Sequence, residues 1–89
     1  MRYTVEWTAP ANRELRKFDR PVQRRIAMAV TALGSDPRPA GSKAMVGHPA
    51  GVTRIRVGDC RVLYQAEDDR VLVTVVRVAH RREVCRNPG

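Results

Sequence analysis

The carboxyl-terminal third of the chain constrains the fold most, because its apolar residues recur with the two-residue period of β-strands. Two short polar segments, Gly58-Asp59 and Glu67–Asp69, interrupt this pattern. They divide it into runs at Thr53–Val57, Cys60–Ala66 and Arg70–Ala79. Since strands joined by such short connections pair in antiparallel order, the sequence predicts a three-stranded antiparallel meander.

The amino-terminal part has a different period. Arg2–Trp7 alternates polar and apolar residues and is predicted to be a strand. Thr8 followed by Pro10 is typical of a helix start, and Asp19 followed by Pro21 indicates a second one. Both segments then place apolar residues on one helical face, which predicts an amphipathic helical hairpin. These apolar positions are Ala11, Leu15 and Phe18, then Val22, Ile26, Ala29, Val30 and Leu33.

Gly34 is predicted to end the second helix, and Ser35–Gly51, rich in proline and glycine, is predicted to be a loop. The expected order is β-α-α-β-β-β in one domain over residues 1–89. This order predicts an α+β fold, in which a helical hairpin packs on one face of a small, mainly antiparallel sheet.

Alternation along the strands sorts their side chains into two faces. We expect one set to pack against the helices: Ile55, Val57, Val62 and Tyr64. The other set, Arg54, Arg56 and Arg61, is expected on the open face. The last strand is apolar on both faces and is predicted to be central, with Val78 on the face of Leu72 and Arg77 on the face of Val73.

The charge predicts an anionic partner. The chain has 17 basic and nine acidic residues, for a net charge of +8, and all the basic ones except Lys17 and Lys43 are arginine. Guanidinium groups bind phosphates and carboxylates with two parallel hydrogen bonds, although a GC-rich genome also favours arginine. With 43% hydrophobic residues the chain is predicted to be globular, and nucleic acid or an acidic protein is the expected partner.

The two cysteines, Cys60 and Cys85, do not have the spacing of metal ligands, so no metal or other cofactor is expected. No signal peptide and no apolar run of membrane-spanning length is evident. These patterns predict a cytoplasmic protein without a membrane partner.

Two motifs in the predicted meander resemble those of a known family. The segments G-D-C-R-V-L-Y at Gly58–Tyr64 and R-V-A-H-R-R-E-V at Arg77–Val84 are similar to the RelE-type toxins of bacterial toxin–antitoxin modules. The likeness extends over almost the full chain and also includes ParE-type gyrase inhibitors, which share the fold. It implies a ribosome-dependent, metal-independent endoribonuclease that cuts mRNA and inhibits translation.

The resemblance also implies functions for individual residues. The catalytic places fall on Arg56, Arg61, Arg81 and Cys85, and the RNA-binding places fall on Arg54, Arg56, Arg77, His80 and Arg82. Variable spacing leaves open whether Arg81 or Arg82 is the family's later arginine. Cys85 occupies the place of a tyrosine that orients the nucleotide in the family, and a thiol cannot stack on a base. Tyr64 is expected to pack under the helices instead of binding RNA.

Partners follow from the same resemblance. They are a RelB-like antitoxin with an acidic helical segment, the ribosome with its mRNA, and operator DNA reached only through the antitoxin complex. Two alternatives stay open: a ParE-like inhibitor of DNA gyrase without nuclease activity, and a catalytically impaired homologue that acts through antitoxin binding.

Overall fold

The computed structural model describes residues 2–45 and 51–80, which form a five-stranded sheet with two helices packed on one face. In chain order the elements are β1 (Thr4–Trp7), α1 (Ala9–Arg16), α2 (Arg20–Leu33), β2 (Lys43–Ala44), β3 (Val52–Val57), β4 (Cys60–Glu67) and β5 (Leu72–His80). The predicted α+β class, with a helical hairpin on a mainly antiparallel sheet, is confirmed.

The strands lie in the order β1-β5-β4-β3-β2. Strand β1 runs parallel to β5, whereas every other neighbouring pair is antiparallel. A parallel pair needs a crossover connection, and the helical hairpin begins that connection directly after β1. The last strand was predicted to be central; β5 lies inside the sheet and not at an edge, but the central strand is β4.

The starts of the helices agree with the capping signals in the sequence. The Oγ1 atom of Thr8 accepts a hydrogen bond from the backbone N–H of Ala11 at 3.2 Å, which satisfies one of the free donors at the start of α1. Asp19 has the extended backbone of an N-cap at α2, but its side chain makes no capping hydrogen bond.

Gly34 ends α2, as predicted, but with helical backbone angles and not in the left-handed conformation. Its lack of a side chain matters for a different reason. A Cβ atom at this position would lie 3.2 Å from the carbonyl oxygens of both Thr31 and Tyr3, and the N–H of Tyr3 donates to the Gly34 oxygen at 2.7 Å. The glycine therefore lets the end of α2 approach the start of β1.

The core lies between the helices and one face of the sheet. Buried and half-buried residues alternate along the whole of β4, and Tyr64 at its centre is fully buried, as predicted. The Tyr64 hydroxyl donates to the backbone oxygen of Pro37 at 2.6 Å, and burial raises the pKa of this phenol. This hydrogen bond fixes the segment after α2 to the core.

The predicted faces of β5 are wrong beyond Val75. The pairing shifts between Leu63 and Tyr64, which lie opposite Arg77 and Val75, so Val76 is an extra residue in a β-bulge. An extra residue reverses the alternation that follows it. Val78 is consequently buried on the same face as Val75, while Arg77 lies on the open face opposite Leu63.

Helix α1 covers the part of β5 that β1 leaves unpaired. Strand β1 ends opposite Val75, and Thr8 continues the edge by donating from its N–H to the Val75 oxygen at 3.0 Å. Farther along, Oε1 of Glu14 accepts a hydrogen bond from the backbone N–H of Val78 at 2.9 Å. The Thr8 backbone and the Glu14 side chain thus replace a neighbouring strand at this edge.

The region Ser35–Gly51 is not entirely a loop. Lys43 and Ala44 pair with Arg54 and Thr53 as the short strand β2 at the edge of the sheet. Two residues are too few for an apolar period to be visible in the sequence, which is why the loop prediction missed them.

Candidate functional site

Basic side chains collect on the open face of the sheet. Strand pairing aligns Lys43 with Arg54, Arg54 with Leu63, and Leu63 with Arg77. A second row, adjacent to the first, aligns Arg56, Arg61 and Ala79. Directly opposite side chains in a sheet lie about 5 Å apart at Cβ, so the pairing brings five cations close together. We call Lys43, Arg54, Arg56, Arg61 and Arg77 the basic face.

Arg56 and Arg61 form the most crowded pair of the basic face, since they are direct partners across β3 and β4. Like charges in this position destabilise a sheet. The two arginines line a shallow depression of about 50 Å³ together with the turn between these strands, Gly58-Asp59, and Cys60. A depression of this size holds only a small chemical group.

Four of the five cations make no ion pair within residues 2–45 and 51–80: Lys43, Arg54, Arg56 and Arg61. The exception is Arg77, whose Nε lies 3.0 Å from Oε2 and 3.3 Å from Oε1 of Glu14. Glu14 was not predicted to belong to the site, since its only signal in the sequence is a carboxylate on a helix that is otherwise basic. The structure therefore divides the described RNA-binding arginines of the prediction into one that is partly neutralised, Arg77, and two that are available to an anion, Arg54 and Arg56.

His80 lies on the other side of the sheet from the basic face. It pairs with the buried Cys60 and lines a crevice of about 200 Å³ with residues of the helical hairpin, among them Phe18 and Arg25. His80, predicted to bind RNA, thus lies on the opposite side of the sheet from the predicted arginines of β3 and β4, because the bulge at Val76 reverses the direction of the residues after it.

The remaining predicted site residues, Arg81, Arg82 and Cys85, lie outside the described residues. Their predicted functions stay predictions. In the described part, the open face offers guanidinium groups and one ammonium group, which stabilise negative charge but are poor proton acceptors near neutral pH. Among residues 2–45 and 51–80, no group of three or more His, Cys, Asp or Glu side chains could hold a metal ion.

The opposite end of β4 contains charges that neutralise one another. Oδ1 of Asp68 accepts hydrogen bonds from Nη1 of Arg38 at 3.0 Å and from the Tyr3 hydroxyl at 2.8 Å. The bond from Arg38, more than that from Tyr3, lowers the pKa of Asp68, and the bond to Asp68 raises the pKa of Tyr3. Arg70 pairs in the same region with Glu67 at 3.7 Å.

Within residues 2–45 and 51–80, no helix is both long enough and apolar enough to cross a lipid bilayer.

Comparison with known proteins assigns the chain to a family. Residues 5–85 match the model of the family described as the ParE toxin of the type II toxin–antitoxin system parDE. Toxin RelG of Mycobacterium tuberculosis is 33% identical over 87 residues, which cover 97% of this chain and 99% of RelG.

Solved structures agree with this assignment. The toxin–antitoxin complex RelBE2 of Mycobacterium tuberculosis contains a chain that is 30% identical, with a TM-score of 0.79 over 91% of this chain and 100% of that one. The intact RelBE complex of E. coli matches with 25% identity and a TM-score of 0.74 over 88% of this chain and 95% of that one. In the archaeal RelE–RelB complex of Pyrococcus horikoshii the TM-score is 0.80 at 21% identity, over 91% and 97% of the two chains, which shows the shared fold. The chain belongs to the RelE/ParE superfamily of toxins from type II toxin–antitoxin systems.

Proposed function

We propose that the chain is a ribosome-dependent mRNA endoribonuclease that inhibits translation. The observation that carries this proposal is the basic face, where four cations have no anionic partner within the described residues. Retaining such a cluster costs folding stability through like-charge repulsion. An RNA phosphate bound there offsets this repulsion. The similarity to Toxin RelG and to RelE structures supports a RelE-like activity over other uses of a basic sheet.

RNA carries its own nucleophile, the 2′-hydroxyl group. Its attack on the adjacent phosphorus forms a P–O2′ bond and breaks the P–O5′ bond, so a proton must leave the 2′ oxygen and another must reach the 5′ oxygen. Arg61 would hold the scissile phosphate and stabilise the charge that develops on it. Arg54 and Arg56 would hold the backbone and promote loss of the 2′ proton, while Arg81 would assist the leaving oxygen. Fixed donors of this kind are worth about 100-fold or more in rate each, and no metal is needed.

The ribosome would supply what the basic face lacks. In-line attack requires a specific backbone geometry, and holding a reactant in that geometry accounts for a large part of many rate enhancements. A site made of arginines gains most from a substrate that is already splayed. An mRNA held in the ribosomal A site meets this requirement, and the protein would act there, in the cytoplasm.

The partner that controls the activity would be a RelB-like antitoxin. The similar complexes from Mycobacterium tuberculosis and E. coli each contain a toxin with its antitoxin. An acidic helical segment would neutralise the basic face by charge complementarity. Operator DNA would be bound only through the antitoxin part of the complex.

Primer extension on mRNA from translating ribosomes tests the activity. The wild-type chain is expected to give cuts in phase with codons, and Arg61→Ala and Arg81→Ala should each reduce them by about 100-fold. Arg70→Ala is the matched control, because it removes an arginine that pairs with Glu67 at the far end of β4. Full cleavage by both Arg61→Ala and Arg81→Ala would contradict the proposal.

A second candidate function follows from the matching family model, which describes ParE toxins. A ParE-like protein would inhibit DNA gyrase and leave mRNA intact. Inhibition of purified gyrase in a supercoiling assay, without codon-phased cuts in mRNA, would favour this function. Cys85 adds a third outcome, a catalytically impaired toxin. In that case Cys85→Tyr would restore cleavage that the wild-type chain lacks.

A further inference from the structure

The crevice on the helix side of the sheet lies next to the basic face. It is formed where the helical hairpin meets the turn between β3 and β4, and its volume is about 200 Å³. The depression that contains Arg56 and Arg61 lies on the other side of the same turn, and both share Gly58, Asp59 and Cys60 in their walls. The turn is thus a common rim between a site for phosphate and a second, larger site.

The rim is low. Gly58 has φ of +59°, which a glycine adopts readily, and a Cβ atom added there would meet nothing within 4 Å. Because no side chain projects from Gly58, a nucleotide whose phosphate is bound by Arg56 and Arg61 can extend over the turn toward the crevice.

The walls of the crevice suit a flat heterocycle. Phe18, Val22 and Val57 supply apolar surface, whereas Arg25 and Asp59 supply a planar donor group and an acceptor at its edge. Bases of single-stranded RNA are bound in this manner, by stacking on aromatic rings or guanidinium planes and by hydrogen bonds to their edges. The volume is below the range of roughly 300–1,000 Å³ for pockets that hold drug-sized ligands, which fits one base and not a whole nucleotide.

We propose that this crevice is a nucleobase subsite, which receives a base adjacent to the phosphate held by Arg56 and Arg61. The inference rests on the proposed function, since it assumes that the basic face binds RNA. A second phosphate is a poorer occupant, because the apolar side chains of Phe18, Val22 and Val57 would desolvate its charge. His80 lines the same crevice, so its predicted participation in RNA binding would occur here and not on the open face.

The test measures binding of fluorescent 2′-O-methyl RNA nonamers, which lack the nucleophile and cannot be cleaved. One nonamer is intact, and in each of the others a single abasic site replaces one base while every phosphate is retained. Stacking of one base contributes enough affinity that one abasic position should weaken binding to the wild-type chain by about tenfold.

Arg25→Gln and Arg24→Gln form a matched pair, because both arginines are exposed on α2 and only Arg25 lines the crevice. Arg24→Gln should keep the tenfold base dependence, whereas Arg25→Gln should reduce it to about threefold or less. A bulkier change, Val22→Trp, should fill the crevice and abolish the base dependence while leaving binding of the abasic nonamer unchanged. The control Met28→Trp is placed on the exposed side of α2.

Each outcome decides between the claims. Equal binding of intact and abasic nonamers by the wild-type chain overturns the subsite, and so does an equal loss of base dependence in Arg24→Gln and Arg25→Gln. If binding in either case still falls with Arg61→Gln, only the subsite fails. If the wild-type chain binds no nonamer, or binds in a way that Arg61→Gln leaves unchanged, the RNA-binding part of the proposed function fails with it. Loss of antitoxin binding in Val22→Trp without any base dependence would assign the crevice to a protein partner and overturn the proposal.

Discussion

The two ends of strand β4 hold charges in opposite ways. Where β4 ends, the Asp68 carboxylate is bound by Arg38 and by Tyr3, and Glu67 lies beside Arg70. Where β4 begins, Arg61 lies directly opposite Arg56, and neither makes an ion pair within the described residues. In the first arrangement each carboxylate has a cationic partner within the chain, and the bond between Arg38 and Asp68 joins the loop after α2 to the turn after β4. The second has no anionic partner among the described residues, and the proposed function would supply one as an RNA phosphate.

The largest effect should come from removing the two positive charges that lie opposite each other where β4 begins. Arg56→Gln combined with Arg61→Gln should weaken binding of a single-stranded RNA nonamer by at least about 100-fold, since each charged hydrogen bond contributes roughly 1.5–3 kcal/mol. The slope of log affinity against log salt should fall by about 1.4 in magnitude. Titrations at several salt concentrations measure both quantities.

The control for this experiment is Arg38→Gln combined with Arg70→Gln. It removes the same formal charge where β4 ends, beside Asp68 and Glu67. We expect less than about a threefold change in affinity, because distant charges act only through screened interactions. Equal losses in the two double variants would mean that net charge, and not the location of the charges, determines RNA binding.

The two turns of β4 provide the next comparison. Gly58 and Val71 both have positive φ, of 59° and 51°, but only the first is a glycine. Gly58→Val should therefore reduce the free energy of unfolding by about 1–2 kcal/mol through backbone strain. Urea denaturation measures this change. Val71→Gly should be neutral or stabilising, and a loss of stability comparable to that of Gly58→Val would show that φ does not govern these turns.

A smaller effect is expected when a paired cation is released. Glu14→Gln keeps an oxygen that can accept from the Val78 N–H but removes the charge that binds Arg77. The free energy of unfolding should fall by about 0.5–1 kcal/mol, as for other partly exposed ion pairs. Affinity for the RNA nonamer should rise by about two- to threefold, because Arg77 becomes available. Weaker RNA binding would mean that Arg77 must be held by Glu14 to function.

The smallest effect concerns how the free energy of unfolding depends on pH through Asp68 and Tyr3, where β4 ends. Because the pKa of Asp68 is lowered in the folded chain, its stabilising contribution is present above the ordinary carboxyl pKa and is lost as the pH falls through the lowered value. The raised pKa of Tyr3 has the opposite sign, and its contribution is lost as the pH rises above the ordinary tyrosine value. In urea denaturation, the stability difference between Asp68→Asn and wild type should therefore be largest near neutral pH and should shrink as the pH falls below the ordinary carboxyl pKa. A difference that stays constant as the pH falls would exclude the ionised carboxylate as its cause.

Periodicity was sufficient to predict the helices, the long strands and the side of the sheet that each residue of β3 and β4 occupies. It failed for β5 after Val75, because a bulge inserts one residue without any change in composition. Lys43 was missed as a member of the basic face because its strand has only two residues. Glu14 was missed because its two partners, Arg77 and Val78, are more than 60 residues away in sequence.

The parallel pairing of β1 with β5 also has a consequence for how the chain folds. Thr4 pairs with Leu72, which is far away in sequence, whereas β3, β4 and β5 pair with neighbours that are joined by short turns. Contacts between residues so far apart are costly in loop entropy and form late. During synthesis the amino-terminal strand therefore emerges first and docks last. An antitoxin that recognises the finished sheet would meet its target only after β5 has left the ribosome.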